Sequence, residues 1–198
     1  MILATLMLSA CAHDSSLVEA PPAALAEGVG FVLPAWTPPG RAVEAQQALD
    51  GAYGDQHFSF LARVSVTAER LHLAALDGLG RRAFEITWAE AGISAKRADW
   101  IPQSLDPRHI LAHMVMAYWP MEILRNATVQ LAGSTDRIVW TETDAGRRLD
   151  QGGRALLILD RPDHSETGWT GQVSIRNLAM DYAITVTSQE LSAPETVH

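Results

Sequence analysis

Residues 57–67 read His57-Phe58-Ser59-Phe60-Leu61-Ala62-Arg63-Val64-Ser65-Val66-Thr67. Phe58, Phe60, Ala62, Val64 and Val66 fall on one side of an extended chain, and Ser59, Leu61, Arg63, Ser65 and Thr67 on the other. Successive side chains point to opposite faces of a strand, so a period of two predicts a strand with one buried face. The pattern continues downstream. Ala68-Glu69 makes a tight connection to Arg70–Leu76, where Leu71 and Leu73 alternate with Arg70 and His72. Asp77-Gly78 and Gly80 turn the chain into Arg82–Trp88, with Phe84, Ile86 and Trp88 on one side, and Glu90-Ala91-Gly92 leads to Ile93–Arg97. Short strands separated by turn residues predict an antiparallel meander.

A helix then interrupts. Asp106 is an N-cap type, Pro107 suits the first helical position, and Leu111, Met114, Val115 and Tyr118 follow at i, i+3, i+4 and i+7. Pro120 stops the helix and opens a short turn, Met121–Asn126. Further strand-like runs are Val129–Leu131, Arg137–Thr143, Arg147–Asp150, Ala155–Asp160, Val173–Leu178 and Tyr182–Ser188. Strands, one amphipathic helix and strands again predict a mainly β domain with helices (α+β), the helix laying its apolar stripe on the apolar face of the sheet.

Upstream of the decisive stretch, Arg41 to Leu49 reads as a short helix ended by Asp50-Gly51. Pro34, Pro38, Pro39 and Gly40 keep the preceding segment irregular. Residues 12–30, rich in Ala, Pro, Ser and Glu, read as a tether with little to bury, and residues 191–198 as a loose tail. The length of 198 residues suits one domain, here residues 31–190. A hydrophobic share of 47% with 19% charged residues is globular rather than disordered. A net charge of −8, with Lys96 the only lysine, argues against a nucleic-acid partner and against electrostatic attachment to an anionic bilayer.

Motif chemistry is sparse. There is no Gly-rich phosphate loop, no G-x-S-x-G and no H-E-x-x-H. His109 and His113 have the i, i+4 spacing of metal ligands, but Ile110 stands where a general base would be, and both fall opposite the apolar stripe. They read as a solvated helix face. Asp77, Glu85 and Asp99 read as turn or outward-facing carboxylates rather than an acid/base pair. No enzyme, metal or cofactor is expected. Trp36, Trp88, Trp100, Trp119, Trp140 and Trp169, with Met114, Met116 and Met121, suit either a core or a site for a flexible apolar ligand.

Cys11 is the only cysteine, which excludes an internal disulfide and a Cys-based zinc cluster. Residues 1–10 are uncharged and end in Leu8-Ser9-Ala10 before it, too short a run to cross a bilayer but a secretory pattern. Leu8-Ser9-Ala10-Cys11 resembles a bacterial lipobox. The resemblance implies a signal peptide over residues 1–10, a diacylglycerol thioether and a palmitoyl-type amide on Cys11, and a lipidated tether over residues 11–30. Ala12, in place of Asp, implies sorting to the periplasmic face of the outer membrane.

The run from Phe58 to Trp88 resembles the first strands of the LolA/LolB-like lipoprotein-localisation factors. The segment Leu105 to Pro120, LDPRHILAHMVMAYWP, resembles a family of uncharacterised bacterial lipoproteins encoded near aryl polyene biosynthesis genes. The resemblance covers roughly residues 50 to 190. It implies a curved antiparallel half-barrel whose concave face is plugged by the helix. Phe58, Phe60, Val64, Leu71, Leu73, Phe84, Ile86 and Trp88 would line a hollow under a lid of Leu111, Met114, Val115 and Tyr118. The expected function is to bind or pass on a lipid or polyene-like acyl chain. The alternatives are a structural or adaptor lipoprotein with a self-filled core and, last, an envelope ester hydrolase.

Overall fold

The computed structural model describes residues 14–16, 22–102, 105–127, 129–133, 135–161 and 168–191. Cys11, residues 1–10 and most of the expected C-terminal tail lie outside them.

The eleven residues of β4 (Val43–Tyr53) and of β5 (Gln56–Val66) form a long central hairpin, with Leu49 opposite Phe60 and Ala45 opposite Val64. β6 (Arg70–Leu76), β7 (Arg82–Ala89) and β8 (Gly92–Arg97) continue the meander as the alternation predicts. A three-residue strand, β1 (Asp14–Ser16), pairs with β8 at its outer edge. β10 (Ile138–Thr143), β11 (Gly146–Gln151), β12 (Arg154–Asp160), β13 (Gly171–Asn177) and β14 (Tyr182–Glu190) form a second meander. The two are joined where β14 pairs with β4, from Tyr182 opposite Tyr53 to Glu190 opposite Ala45. The result is an antiparallel sheet of eleven strands, curved but not closed into a barrel, with β1 and β10 at its edges. The fold is α+β and dominated by this sheet. Its upper rim is the end where β4 turns into β5, β6 into β7 and β13 into β14. Its lower rim is the end where β5 turns into β6 and β7 into β8.

The stretch Arg41–Leu49 is not a helix. Val43, Ala45, Gln47 and Leu49 are buried, while Glu44, Gln46 and Ala48 face outward more openly, the period of a strand. Helix-favouring Ala, Glu and Gln are overridden by pairing on both sides. Asp50-Gly51 continues β4 instead of ending an element. Gly51 is required there: a Cβ would come within 2.0 Å of the Phe58 ring, which lies across it from β5.

The stretch expected as the latter half of a tether also folds. β2 (Ala23–Ala26) and β3 (Val29–Phe31) pair with each other, and β9 (Val129–Leu131) completes a small second sheet. Leu25 and Phe31 are fully buried, so the packed body begins before residue 31.

Two helices pack with this core. In α1 (Pro107–Tyr118) the Asp106 carboxylate accepts from the Arg108 backbone N–H at 2.8 Å, and Pro107 opens the first turn. Trp119 closes it, followed by α2 (Met121–Asn126). The buried faces of both meanders, the small sheet and the helices join one apolar cluster.

Overfilling the Gly51–Phe58 contact tests the central hairpin. Gly51→Ala is expected to cost about 1–3 kcal/mol, read as a lower Tm. Phe58→Leu in the same background is expected to recover part of the loss.

Candidate apolar site

The expected wall residues Phe60, Val64, Leu71, Leu73, Phe84, Ile86 and Trp88 are buried on one face of the main sheet, with Phe58 half-buried beside them. Leu111, Met114 and Val115 are buried in the same cluster and Tyr118 packs against it. The structure therefore brings wall and lid together, in one continuous apolar packing.

α1 is not amphipathic in the way its stripe implies. Leu111 through Ala117 are all buried, His113 and Met116 included. A helix buried all round carries apolar residues all round, and His113 is the single polar exception in that run. It does not belong to a solvated face. Its Nε2 lies 2.7 Å from the Tyr182 hydroxyl. The same hydroxyl accepts from Asn177 Nδ2 at 3.2 Å, while Asn177 also donates to the Leu25 carbonyl at 2.8 Å. The network ties α1, β13, β14 and β2 together. Burial, with a smaller repulsion from His109, pushes the His113 pKa down to about 3, so the ring is neutral and accepts from Tyr182. Burial pushes the Tyr182 hydroxyl up to about 12. His109 is half-buried, and burial lowers its pKa too.

The C-terminal end of α1 has no basic residue in its own last turn. Two arginines from the second meander serve it instead. Arg147 Nη1 donates to the carbonyls of Met116 (2.8 Å) and Trp119 (2.7 Å), and Arg161 Nη1 to that of Ala117 (2.9 Å). Terminal carbonyls and the negative end of the helix dipole are thereby satisfied. Burial is the main cause lowering the Arg147 pKa. Nothing in the local sequence of α1 signals this arrangement.

Around the same helix end the aromatic residues converge. Trp36 meets Trp88 edge-on at 5.0 Å, Trp88 lies 5.6 Å from Trp119, and Tyr118 stacks on Trp169 at 4.2 Å. Trp36 is held by its Nε1–H donating to the Ala68 carbonyl at 2.9 Å, and Trp119 by donating to the Thr37 carbonyl at 2.7 Å. Beside this cluster, on the lower rim, a cleft of about 430 Å³ opens to solvent. Leu33, Pro34, Ala35 and Trp36 form one wall, and Trp88, Ala89, Glu90, Gly92 and Ile93 the other. Of the residues expected to contact a ligand, Trp88 alone borders it. In sequence the Leu33–Trp36 wall reads only as an irregular connection, because its contact with the β7–β8 turn is made in space.

Two of the other chemical candidates, Asp77 and Glu85, have structural partners. Asp77 Oδ1 accepts from the backbone N–H groups of Leu79 and Arg81 and organises the β6–β7 turn. Glu85 accepts from Arg82 at 3.0 Å and lies 3.2 Å from His72. Among the described residues no group of three His, Cys, Asp or Glu is placed to hold a metal ion, and no helix is long and apolar enough to cross a membrane.

The family model described as "Protein of unknown function (DUF3261)" matches residues 44–190. Those limits fall on the seam of the main sheet, since Leu191 N–H donates to the Glu44 carbonyl and Glu190 pairs with Ala45. No curated protein matches the chain.

The buried histidine sets a pH dependence. The unfolded chain takes up a proton near the ordinary value of 6.5, whereas the folded chain resists until about 3. Stability is full above that window and falls as pH decreases through it. The urea midpoint is expected to fall between about pH 7 and about pH 5, and His113→Gln, which keeps an acceptor for Tyr182 but cannot titrate, is expected to flatten that fall.

Proposed function

The chain belongs to the family of unknown function whose model spans residues 44–190, and since membership brings no activity with it, we propose that it is a lipid-anchored envelope protein that holds a single apolar chain in the lower-rim cleft. In this reading Cys11 carries the anchor, and the domain faces the periplasm from the outer membrane. The open curved sheet with its internal helix supports kinship with the LolA/LolB-like half-barrels. The observation that carries the ligand is the cleft between Leu33–Trp36 and Trp88–Ile93. Its volume falls within the roughly 300–1,000 Å³ of small-molecule sites, and Leu33, Trp36, Trp88 and Ile93 supply an apolar part of its walls that an acyl or polyene chain could lie along.

Charge narrows the class of ligand. Glu90 is the charged residue bordering the cleft, on a protein of net charge −8. A free fatty carboxylate would meet like charge, so the ligand is a neutral or ester-linked chain. No catalytic step is assigned: the His113–Tyr182 pair holds the helix in place.

One observation favours a second reading. α1 fills the space against the inner face of the sheet, as a protein working by surface contact alone would require. Native mass spectrometry separates the two. The ligand reading expects an apolar adduct on the full chain that disappears in Ala89→Trp, with Tm unchanged. A wild-type chain that carries no adduct and takes up no fluorescent acyl ester overturns it in favour of the adaptor. The anchor is checked separately: Cys11→Ala is expected to move the protein from the membrane pellet to the soluble fraction.

A further inference from the structure

The large exposed apolar side chains are unevenly placed. Trp100 (42% exposed) follows β8, Leu76 and Leu79 (80%) bound the β6–β7 turn, Tyr53 ends β4 and Leu178 follows β13. All five are on the upper rim, at neighbouring positions along the strand order. Leu61, farther down β5, pairs across the strands with Leu76 and extends the group on the outer face, whereas Val139 stands apart on the edge strand β10. Scattered single exposures need no explanation, but several large apolar side chains gathered at one end of a sheet mark a contact surface. Its chemistry is specific: the Arg81 guanidinium lies 4.3 Å over the Trp100 ring, an amphipathic pair suited to a headgroup region.

The N-terminal chain enters at this same end. β1 runs antiparallel to β8, with Asp14 opposite Lys96 and Ser16 opposite Ser94, so Asp14 is the upper-rim end of β1. Cys11 is three residues before Asp14, and three residues reach about 11 Å at full extension. That reach bounds how far an anchor at Cys11 can stand from Asp14 and so from the upper-rim end of β8.

We propose that the upper rim rests on the bilayer that holds the anchor, with Trp100 and Leu79 in the headgroup layer and the lower-rim cleft turned away from the membrane. The proposal rests on the anchor reading above. Electrostatic attraction plays little part: Asp55, Asp77, Asp99 and Asp181 lie at this end with Arg81, Arg82 and Arg97. The contact is apolar, made at the high local concentration that the anchor supplies. It brings the cleft to face molecules arriving from across the periplasm rather than lipids of the supporting leaflet.

The test uses the full lipidated chain in vesicles of zwitterionic phosphatidylcholine, with and without lipids brominated near the headgroup. Intact mass first establishes whether Cys11 carries acyl groups; an unmodified cysteine overturns the anchor reading and this orientation with it. On an acylated chain, brominated lipid is expected to quench part of the tryptophan emission. Trp100→Phe is expected to remove most of that quenching, and Trp36→Phe, at the opposite rim, to leave it unchanged. Quenching that survives Trp100→Phe, or that is lost in Trp36→Phe, overturns the orientation while leaving the anchor standing. Hydrogen exchange is expected to slow in the Asp77–Arg82 turn on vesicles; equal rates on and off vesicles count against the contact.

Discussion

The pairing of β14 with β4 is the constraint on which the architecture depends. It joins residues 43–53 to residues 182–190, the two ends of the matched family segment, and turns two meanders into one sheet. Without it each meander would expose a strand whose buried-phase residues, Val43 to Leu49 or Val186 and Ser188, need cover from both sides. The polar members of that seam are also matched across it: Gln47 Nε2 donates to Ser188 Oγ at 3.3 Å, and Ser188 donates to the Trp169 carbonyl at 2.8 Å. Pairing at such separation closes a long loop before it gains anything, so of all the strand pairs in the sheet it carries the largest loop-closure entropy.

The helix held against the sheet depends on groups supplied from elsewhere. Arg147 and Arg161 satisfy its final carbonyls, and Tyr182 satisfies His113. A buried polar group without a partner costs on the order of 1–3 kcal/mol, so these contacts fix one position for α1 rather than a range. The helix so anchored is part of the packed core, whereas the Leu33–Trp36 wall stands at the open rim of the sheet.

Much of the fold is legible in the sequence, and the misreadings have common causes. Strands with apolar residues at every second position, such as Arg70–Leu76 and Arg82–Ala89, are recognisable nearly to the residue. So are Asp106 as cap and Pro120 as stop, because these signals are local. β4 reads as a helix because Gln47 occupies a buried position and Ala, Glu and Gln favour a helix in isolation. His113 reads as solvated because its partner lies 69 residues away. The cleft is invisible for the same reason: its two walls, Leu33–Trp36 and Trp88–Ile93, meet only after the sheet has formed. Alternation reports which face is buried, and says nothing about what covers it.

The two ends of the described chain stand at opposite rims. Asp14, opposite Lys96, stands at the upper rim, whereas Leu191 follows β14 out at the lower one, bonded to Glu44. Leu191 lies at the β4–β14 seam of the lower rim, several strands along the sheet from the β7–β8 turn that borders the cleft. The seam that joins the two meanders is therefore also where the described chain ends, at the rim opposite to Asp14.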